Sequence, residues 1–578
     1  RPELDLEADL SIDSIKRTEI VGLLARRLGN GTNAIPELDD AQAEELTRAR
    51  TALAIARRLT THTDTADPST PQVPAPRSTG SPAVAGNEPV RLCFTTTALP
   101  DPTAASETLA GKRFALLGDD SHHAALTARL AALGANVLPL GATHELSEAD
   151  GPVDGVLFLD PLREDGAPVL PASVPVLRAA LARDPRWLLA ARPATAPAGT
   201  DHDQAAAGRG DGLRGLFRSL AREYPHTTVR LVEIEDPARQ APDALVKELL
   251  AEDREPVVLR GPAGRQGIAL VEAGLGVVAG RGAGPAGDGV AEAAALGLDR
   301  DAVVLLVGGA RGITARFAAA LAASSRCRLE LLGRTAAPSG PEDQVTAGAH
   351  GRAELRGVLA RQGVPLPQID ATASRVLAGR EIAATLGELS DLGSTACYRT
   401  ADAADPAAMR QAVKEIHAEY GRLDGVVYAA GVIEDRVFAD KDLASFQRVF
   451  ATKADGAAAL LDALGELPSA PRFTVLFGSI AAALGNRGQS DYAAANDALE
   501  QAGARWAERT GNRALTVHWG PWAPTGRHGG MVSPELAEDY ARRGVRLIDP
   551  QAGTLALLRE LAWGEPGTRA VVYTASGW

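Results

Sequence analysis

The chain has 578 residues, of which 45% are hydrophobic, and its formal net charge is −13 at pH 7. This length predicts three or four domains rather than one core, and the acidic balance argues against nucleic-acid binding. Three widely spaced cysteines and the lack of a long apolar run favour a cytoplasmic protein with no structural disulfide, metal site or membrane span. Because the chain starts at Arg1, in mid-motif, we expect it to be a piece of a larger polypeptide.

Two helices are predicted within residues 1–60. The segment DSIKRTEIVGLLARRLG has apolar residues at helical spacing, and a second helix is predicted from Asp40 to Leu59. Residues 61–90 are rich in Thr, Pro, Ser, Ala and Gly, a composition that cannot bury enough apolar surface to order itself. We therefore expect 61–90 to be a flexible tether.

Strands and helices alternate from residue 91 to residue 298, which predicts a parallel sheet covered by helices. The predicted strands are RFALLG, DGVLFLD, WLLAAR and VRLVEIE, and the predicted helices are SHHAALTARLAALG and GLRGLFRSLAREY. The first strand ends in GDDSHH, which lacks the glycines that a bound pyrophosphate needs. This region therefore has the pattern of a nucleotide-binding unit without its phosphate site, and a structural role is favoured.

The same alternation recurs from residue 299 to residue 578 and suits a doubly wound sheet. Its predicted strands are VVLLVG, RLELLGR, DGVVYAAG, TVLFGS and LTVHWG, with a further strand at CYRT. Residues 336–392 form a long, mostly helical insertion between the second and third strands. We assign the insertion to packing or to contact between domains, since its residues suggest no chemistry.

A glycine-rich turn follows the first strand of this second unit. The order of strand, glycine turn and helix lets backbone N–H groups and a helix N-terminus face a pyrophosphate, and a Cβ would block that approach. The residues predicted to form this part of the cofactor site are Gly308, Gly309, Arg311, Gly312 and Ile313.

The second strand ends at Arg334, where a carboxylate would be expected if the ribose carried a free 2′-hydroxyl. Arg334 and Arg311 together suit the 2′-phosphate of NADPH, although two solvated surface arginines are the alternative. Asp402 follows the third strand and could accept from the adenine amino group. The small residues Ala429, Ala430 and Gly431 would let the backbone pass beneath the ribose and nicotinamide.

Four residues in the C-terminal third form a candidate catalytic set: Lys453, Ser479, Tyr492 and Asn496. Hydride addition to a ketone makes an alkoxide that an acid must protonate, and a nearby ammonium group can adapt the pKa of a tyrosine to that task. Ser479 would orient the carbonyl oxygen, while Asn496 would hold a water or backbone group in a relay with Lys453. Taken singly, each residue would more often be a core or surface side chain; their combined order and spacing support the catalytic interpretation.

This set resembles that of short-chain dehydrogenases/reductases, with Asn496 where most members have lysine and with the lysine earlier, in FATKADGAAALL. That exchange is characteristic of ketoreductase domains of polyketide and related fatty acid synthases, and HWGPWAPTG resembles their substrate loop. The resemblance covers residues 91–578 and implies two Rossmann-like α/β subdomains, the first structural and the second catalytic. Val307 and Thr314 depart from the usual pattern; the GGARGIT turn and the long insertion look more like iterative synthases.

The segment DLEADLSIDSIKRTEI resembles an acyl carrier protein, so residues 1–60 are expected to be a partial all-α carrier. The resemblance makes Ser14 the attachment point of 4′-phosphopantetheine, although Ser14 could also be an ordinary helix cap. Ser11 stands where glycine is usual.

These resemblances imply NADPH-dependent reduction of a β-ketoacyl thioester on an acyl carrier protein, within an iterative polyketide or fatty acid synthase. The expected partners are that acyl carrier and the neighbouring ketosynthase, acyltransferase and dehydratase domains. Ile433–Asp435 resembles a signature of reductases that give the D-alcohol, and Leu484 stands where the opposite class has tryptophan. The alternatives are a stand-alone short-chain alcohol dehydrogenase and an inactive scaffold.

Overall fold

The computed structural model describes residues 88–103, 106–118, 120–163, 168–194, 208–275, 288–338, 340, 342–524, 532 and 534–576. Fifteen strands within these residues form one sheet, in the order β11-β10-β9-β12-β13-β14-β15-β1-β8-β7-β6-β5-β4-β2-β3. Their bounds are β1 Val90–Ala98, β2 Arg113–Leu117, β3 Asn136–Leu140, β4 Gly155–Phe158, β5 Trp187–Pro193, β6 Thr228–Ile234, β7 Val257–Gly261, β8 Gly264–Glu272, β9 Val303–Val307, β10 Arg328–Gly333, β11 Ala396–Thr400, β12 Gly425–Tyr428, β13 Phe473–Ser479, β14 Ala514–Trp519 and β15 Ala570–Thr574.

The sheet has two parallel parts that one strand joins. We call β2–β8 the N-terminal half and β9–β15 the catalytic half. Strands β2–β7 pair in parallel, as do β9–β15, while β8 is antiparallel to β7. Strand β1 is antiparallel to both β8 and β15, so it links the halves into a continuous sheet. The predicted α/β class with two Rossmann-like units is confirmed, and the continuity between them is a feature that the sequence did not indicate.

Helices cover the faces of this sheet. Their bounds are α1 His123–Ala132, α2 Val174–Leu181, α3 Leu213–Glu223, α4 Pro237–Leu249, α5 Val290–Ala295, α6 Gly312–Ser325, α7 Gln344–Ala347, α8 Arg352–Arg361, α9 Leu366–Asp391, α10 Pro406–Tyr420, α11 Leu443–Phe450, α12 Gly456–Gly465, α13 Ile480–Leu484, α14 Ser490–Thr510, α15 Pro534–Arg542 and α16 Pro550–Trp563. A π-helical turn, Ala451–Asp455, joins α11 to α12.

The central strands are covered on both faces, which explains their continuous apolar runs. Every residue of β9 and β12 is buried, and so is every residue of β4 and β14. Strand β1 differs, because its first six residues are half-buried and its last three are exposed. A half-buried strand gives a weaker sequence signal than a buried one.

The N-terminal half supports the helix that carries Tyr492. Helix α3 lies directly against α14, and a Cβ added at Gly215 would meet the backbone oxygen of Ala493 at 2.2 Å. The backbone N–H of Gly215 also donates to the Asp497 carboxylate at 3.2 Å. The N-terminal half therefore fixes helix α14 by close backbone contact that larger side chains would prevent.

The predicted helical insertion is present as α7, α8 and α9. The predicted carrier, its Ser14 and all but the last three residues of the predicted tether lie outside the described residues. None of the helices in the described part of the chain combines the length and the apolar character needed to cross a membrane.

Candidate active site

The glycine turn after β9 has an open backbone. Gly308 has a φ of +85°, and a Cβ there would lie 3.2 Å from the backbone nitrogen of Ala430, so the turn packs closely on the segment after β12. Gly312 has a φ of +58°, and a Cβ there would have nothing within 4 Å. The first position therefore needs glycine for a close approach, while the second faces free space.

Helix α6 begins at Gly312 with no side chain capping its N-terminus. The first-turn N–H groups of a 14-residue helix are left available there, and they carry the positive end of the helix dipole. Together with the open backbone at Gly312, this arrangement fits the pyrophosphate of a dinucleotide. Ile313 lies within this first turn and packs against the apolar core of the catalytic half.

The side chains predicted to bind the ribose and the adenine differ in their surroundings. The side chain of Arg334 is exposed at the end of β10. Asp402 is also exposed, and its carboxylate accepts from the backbone N–H of Ala404 at 3.0 Å. Arg311 is paired with Glu381 of the insertion, a contact that the sequence interpretation of the insertion missed. The separation of 70 residues between these two partners left no local pattern from which to predict it.

Lys453 lies in the π-helical turn and is buried, with 3% of its surface exposed. A Cβ added at Gly431, after β12, would lie 3.5 Å from its Nζ, so the ammonium group reaches the strand end where the nicotinamide was predicted. Burial lowers the pKa of Lys453 to about 7. At neutral pH this amine can therefore both take up and release a proton.

Ser479 and Tyr492 meet at the ends of β13 and α14. Ser479 is the last residue of β13, and its Oγ accepts from the backbone N–H of Ala481 at 3.2 Å. Burial raises the pKa of Tyr492 to about 12, and the Asp435 carboxylate acts in the same direction, whereas hydrogen bonding with Asn496 and Ser479 opposes the rise. Tyr492 therefore keeps its proton at neutral pH and can act as an acid.

Asn496 is fully buried one helical turn after Tyr492. Its Nδ2 donates to the backbone oxygen of Tyr492 at 2.7 Å. Its Oδ1 has no hydrogen-bond donor among the described residues, although it is buried. A buried acceptor without a partner is suited to a bound water, which a proton relay would require.

A buried ion pair beside Tyr492 was not predicted. Lys441 Nζ lies 2.5 Å from Asp491 Oδ1, and it also donates to the backbone oxygens of Glu434 and Gly488 at 3.0 and 3.3 Å. The pair thereby connects the loop of Ile433–Asp435 to the start of α14. Lys441 and Asp491 are 50 positions apart in the chain, which explains why no sequence motif revealed the pair.

Part of the chain matches a known domain. Residues 302–524 match the family model described as the KR domain. Over 281 residues, or 46% of the chain, it is 31% identical to a subunit of the polyunsaturated fatty acid synthase of Thraustochytrium sp., covering 10% of that protein. Over 168 residues, or 28% of the chain, it is 35% identical to polyketide synthase PksN of Bacillus subtilis, covering 3% of it. The chain thus spans a tenth or less of the length of these relatives.

Solved structures show the same fold. A C2-type ketoreductase from a modular polyketide synthase superposes with a TM-score of 0.62 at 23% identity, over 84% of this chain and 95% of that one. The ketoreductase from the first module of phoslactomycin biosynthesis in Streptomyces sp. HK803 gives a TM-score of 0.59 at 23% identity, over 85% of this chain and 94% of that one.

The resemblance drawn from the sequence is confirmed for the ketoreductase part: residues 302–524 match the KR domain model, and the fold is that of solved ketoreductases. More particularly, the relatives with 30% or more identity that we compared are polyketide and polyunsaturated fatty acid synthases. The acyl carrier assignment of residues 1–60 stays a prediction.

Proposed function

We propose that this chain reduces a β-ketoacyl thioester, carried on an acyl carrier protein, to the β-hydroxyacyl thioester with NADPH as reductant. The observation that supports this most is the arrangement of Lys453, Ser479 and Tyr492 around the segment after β12, next to an open glycine turn and an uncapped helix N-terminus. Lys453 is buried without a hydrogen bond or ion pair among the described residues, which a purely structural lysine would rarely be.

The reaction follows from the protonation states of these side chains. The nicotinamide ring of NADPH supplies the hydride that reduces the β-carbon. Ser479 Oγ donates a hydrogen bond to the ketone oxygen and fixes its direction. Tyr492, whose pKa lies near 12, transfers its phenolic proton to that oxygen as negative charge develops there.

Proton resupply is assigned to Lys453 and Asn496. A pKa near 7 lets the Lys453 amine exchange protons with solvent at neutral pH. The unsatisfied Oδ1 of Asn496 holds the water that carries a proton back to Tyr492. Both residues thus act after the chemical step, by restoring the acid form of the tyrosine.

The wider assembly is part of the same proposal. The 31% identity to a subunit of a polyunsaturated fatty acid synthase, together with the long insertion, favours an iterative synthase over a modular one. In that setting Ser14 carries 4′-phosphopantetheine, residues 61–90 let the carrier reach the reductase, and ketosynthase, acyltransferase and dehydratase domains are the neighbours. We place this assembly in the cytoplasm.

The test is NADPH oxidation with a β-ketoacyl N-acetylcysteamine thioester, measured for the wild type and Tyr492→Phe, with NADPH binding followed in parallel by fluorescence. We expect turnover by the wild type and its loss in the variant, with binding preserved. A free β-keto acid reduced as well as the thioester would favour a stand-alone alcohol dehydrogenase. Binding without turnover of either the free thioester or the carrier-bound substrate would favour a scaffold.

The product is expected to be the D-alcohol. Asp435, from the loop that resembles the D-specific signature, lies close enough to Tyr492 to raise the pKa of its phenol. Gln489 Nε2 binds both oxygens of Asp435 at 3.1 and 3.2 Å, which holds the loop against the start of α14. Chiral chromatography of the reduced thioester checks this, and an L-alcohol product would contradict it.

A further inference from the structure

The helical insertion lies against the cofactor turn through one face of its longest helix. Glu381, Thr385 and Glu388 of α9 follow the spacing i, i+4, i+7 and therefore project from the same side. All three contact the glycine turn or α6: Glu381 pairs with Arg311, Thr385 with the backbone of Ala310, and Glu388 with Arg316. The insertion is thus fastened to the turn predicted to hold the cofactor.

Thr385 fixes the backbone of that turn. Its side chain is fully buried, and its Oγ1 donates to the backbone oxygen of Ala310 at 3.0 Å. Ala310 lies between Gly309 and Arg311, inside the turn itself. A hydrogen bond to this carbonyl limits the conformations of the turn. It therefore helps to fix the position of the Arg311 Cα, from which the side chain extends.

Glu381 then holds the Arg311 guanidinium through an ion pair at its Nε edge. The contact uses the Nε of Arg311, and its two terminal nitrogens make no hydrogen bond within the described part of the chain. Half of the Arg311 side chain (52%) is exposed, whereas Glu381 is largely buried. An arginine held at Nε presents the paired Nη groups outward, the edge that binds phosphate with two parallel hydrogen bonds.

The position of Arg311 agrees with a role at the adenosine ribose. Burial raises the pKa of Tyr398 on β11, and the charge of Arg311 partly offsets that rise, so the two side chains are close. Tyr398 Oη donates to the backbone oxygen of Thr335, just beyond Arg334 at the end of β10. In a doubly wound sheet, the ribose that carries the 2′-substituent lies at the end of this second strand.

We propose that Glu381, supplied by the insertion, is a positioning residue that holds Arg311 ready for the 2′-phosphate of NADPH. The inference rests on the proposed function, because it assumes a 2′-phosphorylated cofactor at this turn. It gives the insertion a role in cofactor selection, beyond the packing role that its sequence suggests. Without Glu381, Arg311 would have to order its long side chain each time the phosphate binds.

The experiment measures binding by the full chain, independently of turnover. Isothermal titration calorimetry with adenosine 2′,5′-bisphosphate and with adenosine 5′-diphosphate isolates the contribution of the 2′-phosphate. The variants are Glu381→Ala, which removes the acceptor, Glu381→Gln, which keeps an acceptor for Nε but removes the charge, and Arg311→Ala. Glu388→Ala is the matched control, because it breaks a similar ion pair between α9 and α6, in which Glu388 binds Arg316.

We expect Arg311→Ala to weaken the 2′,5′-bisphosphate by about 10- to 100-fold and Glu381→Ala by about 3- to 10-fold, with little change for the 5′-diphosphate. Glu381→Gln should weaken binding of the 2′,5′-bisphosphate much less than Glu381→Ala does. Glu388→Ala, once its folding is verified by melting temperature, should leave the affinity for both ligands unchanged. Tighter or unchanged 2′,5′-bisphosphate binding by Glu381→Ala would overturn the inference. A wild type that does not prefer the 2′-phosphorylated ligand would instead contradict the NADPH assignment itself.

Discussion

Strands β4 and β12 occupy equivalent places, each beside the first strand of its half, yet the buried cations near their ends have opposite surroundings. After β4, the largely buried Asp160 lies 2.9 Å from the buried Arg209, which also donates to the Asp160 backbone oxygen at 3.1 Å. After β12, buried Lys453 lies against Gly431 and has no carboxylate partner among the described residues. One cation is held in an ion pair, while the other has no such partner among the described residues, as the proposed proton resupply requires.

The first turns of the two halves are alike at their first glycine and differ farther along the turn. Gly118 follows β2, and a Cβ there would lie 2.3 Å from the backbone nitrogen of Asp160, so the continuation of β4 occupies the space. Gly308, the equivalent residue after β9, is also close to the chain beyond the neighbouring strand, with a Cβ 3.2 Å from the backbone nitrogen of Ala430. Four residues later, at Gly312, a Cβ would have nothing within 4 Å. Both first turns therefore pack on the chain beyond the neighbouring strand, and the catalytic half differs by the open position at Gly312, where the proposed cofactor phosphates would lie.

The largest expected effect is on catalysis in the catalytic half. Lys453→Met should lower kcat for thioester reduction by about 100- to 10,000-fold, because Tyr492 loses its proton supply. Steady-state NADPH oxidation under saturating substrate measures this, with NADPH binding as the control for an intact cofactor site. A kcat within a few-fold of the wild type would contradict the role of Lys453.

The equivalent change in the N-terminal half should affect stability instead. Arg209→Met leaves Asp160 buried with the more distant Arg163, at 3.8 Å, as its remaining cation among the described residues. The free energy of unfolding should fall by about 2–3 kcal/mol, because an uncompensated buried charge is costly. Urea unfolding checks this, and kcat of the folded fraction should stay near that of the wild type. A large loss of kcat without loss of stability would break the comparison.

Burial of Lys453 should lower the free energy of unfolding by an amount that depends on pH. Its pKa is lowered from 10.5 to about 7 in the folded chain, so unfolding takes up a proton between these values and stability rises with pH across that window. Below pH 7 the full cost of burying the charge is present. Lys453→Met should therefore raise the free energy of unfolding by about 2 kcal/mol at pH 6.5, with a smaller gain at pH 9.5. Melting temperatures at the two pH values test this, and an equal gain at both would contradict it.

The smallest effect is expected at Gly312. Gly312→Ala places a Cβ in open space but strains a residue with a φ of +58°, at a cost of about 1 kcal/mol. The melting temperature should fall slightly, whereas NADPH binding should weaken by about 5- to 10-fold because the Cβ obstructs the pyrophosphate. Fluorescence titration measures the affinity. Unchanged affinity would mean that the turn does not hold the cofactor.

The features that the sequence predicted are those with strong local patterns. Strands such as β9 (VVLLV) are apolar throughout because both faces are buried, and Ser479 and Tyr492 lie within one short segment. These patterns were sufficient to predict the α/β class and the helical insertion, and they supplied the candidate residues of the site.

The features that the sequence did not predict depend on pairs far apart in the chain. Strand β1 has only a weak pattern and finds its partners β8 and β15 much later in the sequence. The Lys441–Asp491 pair and the Arg311–Glu381 pair likewise join residues from separate elements. A single sequence gives no physical signal for such contacts, because charged residues on helices are normally solvated.

The pairing of β1 with β15 brings the first and last described strands together in the sheet. Val90 is opposite Thr574 in the sheet, although the two residues are 484 positions apart, so the first and last strands of the described part of the chain are neighbours. A fragment that ends between β8 and β9 would separate β1 from β15 and expose an unpaired sheet edge. A fragment used for domain exchange would therefore have to retain both Val90 and Thr574, which lie side by side in the sheet.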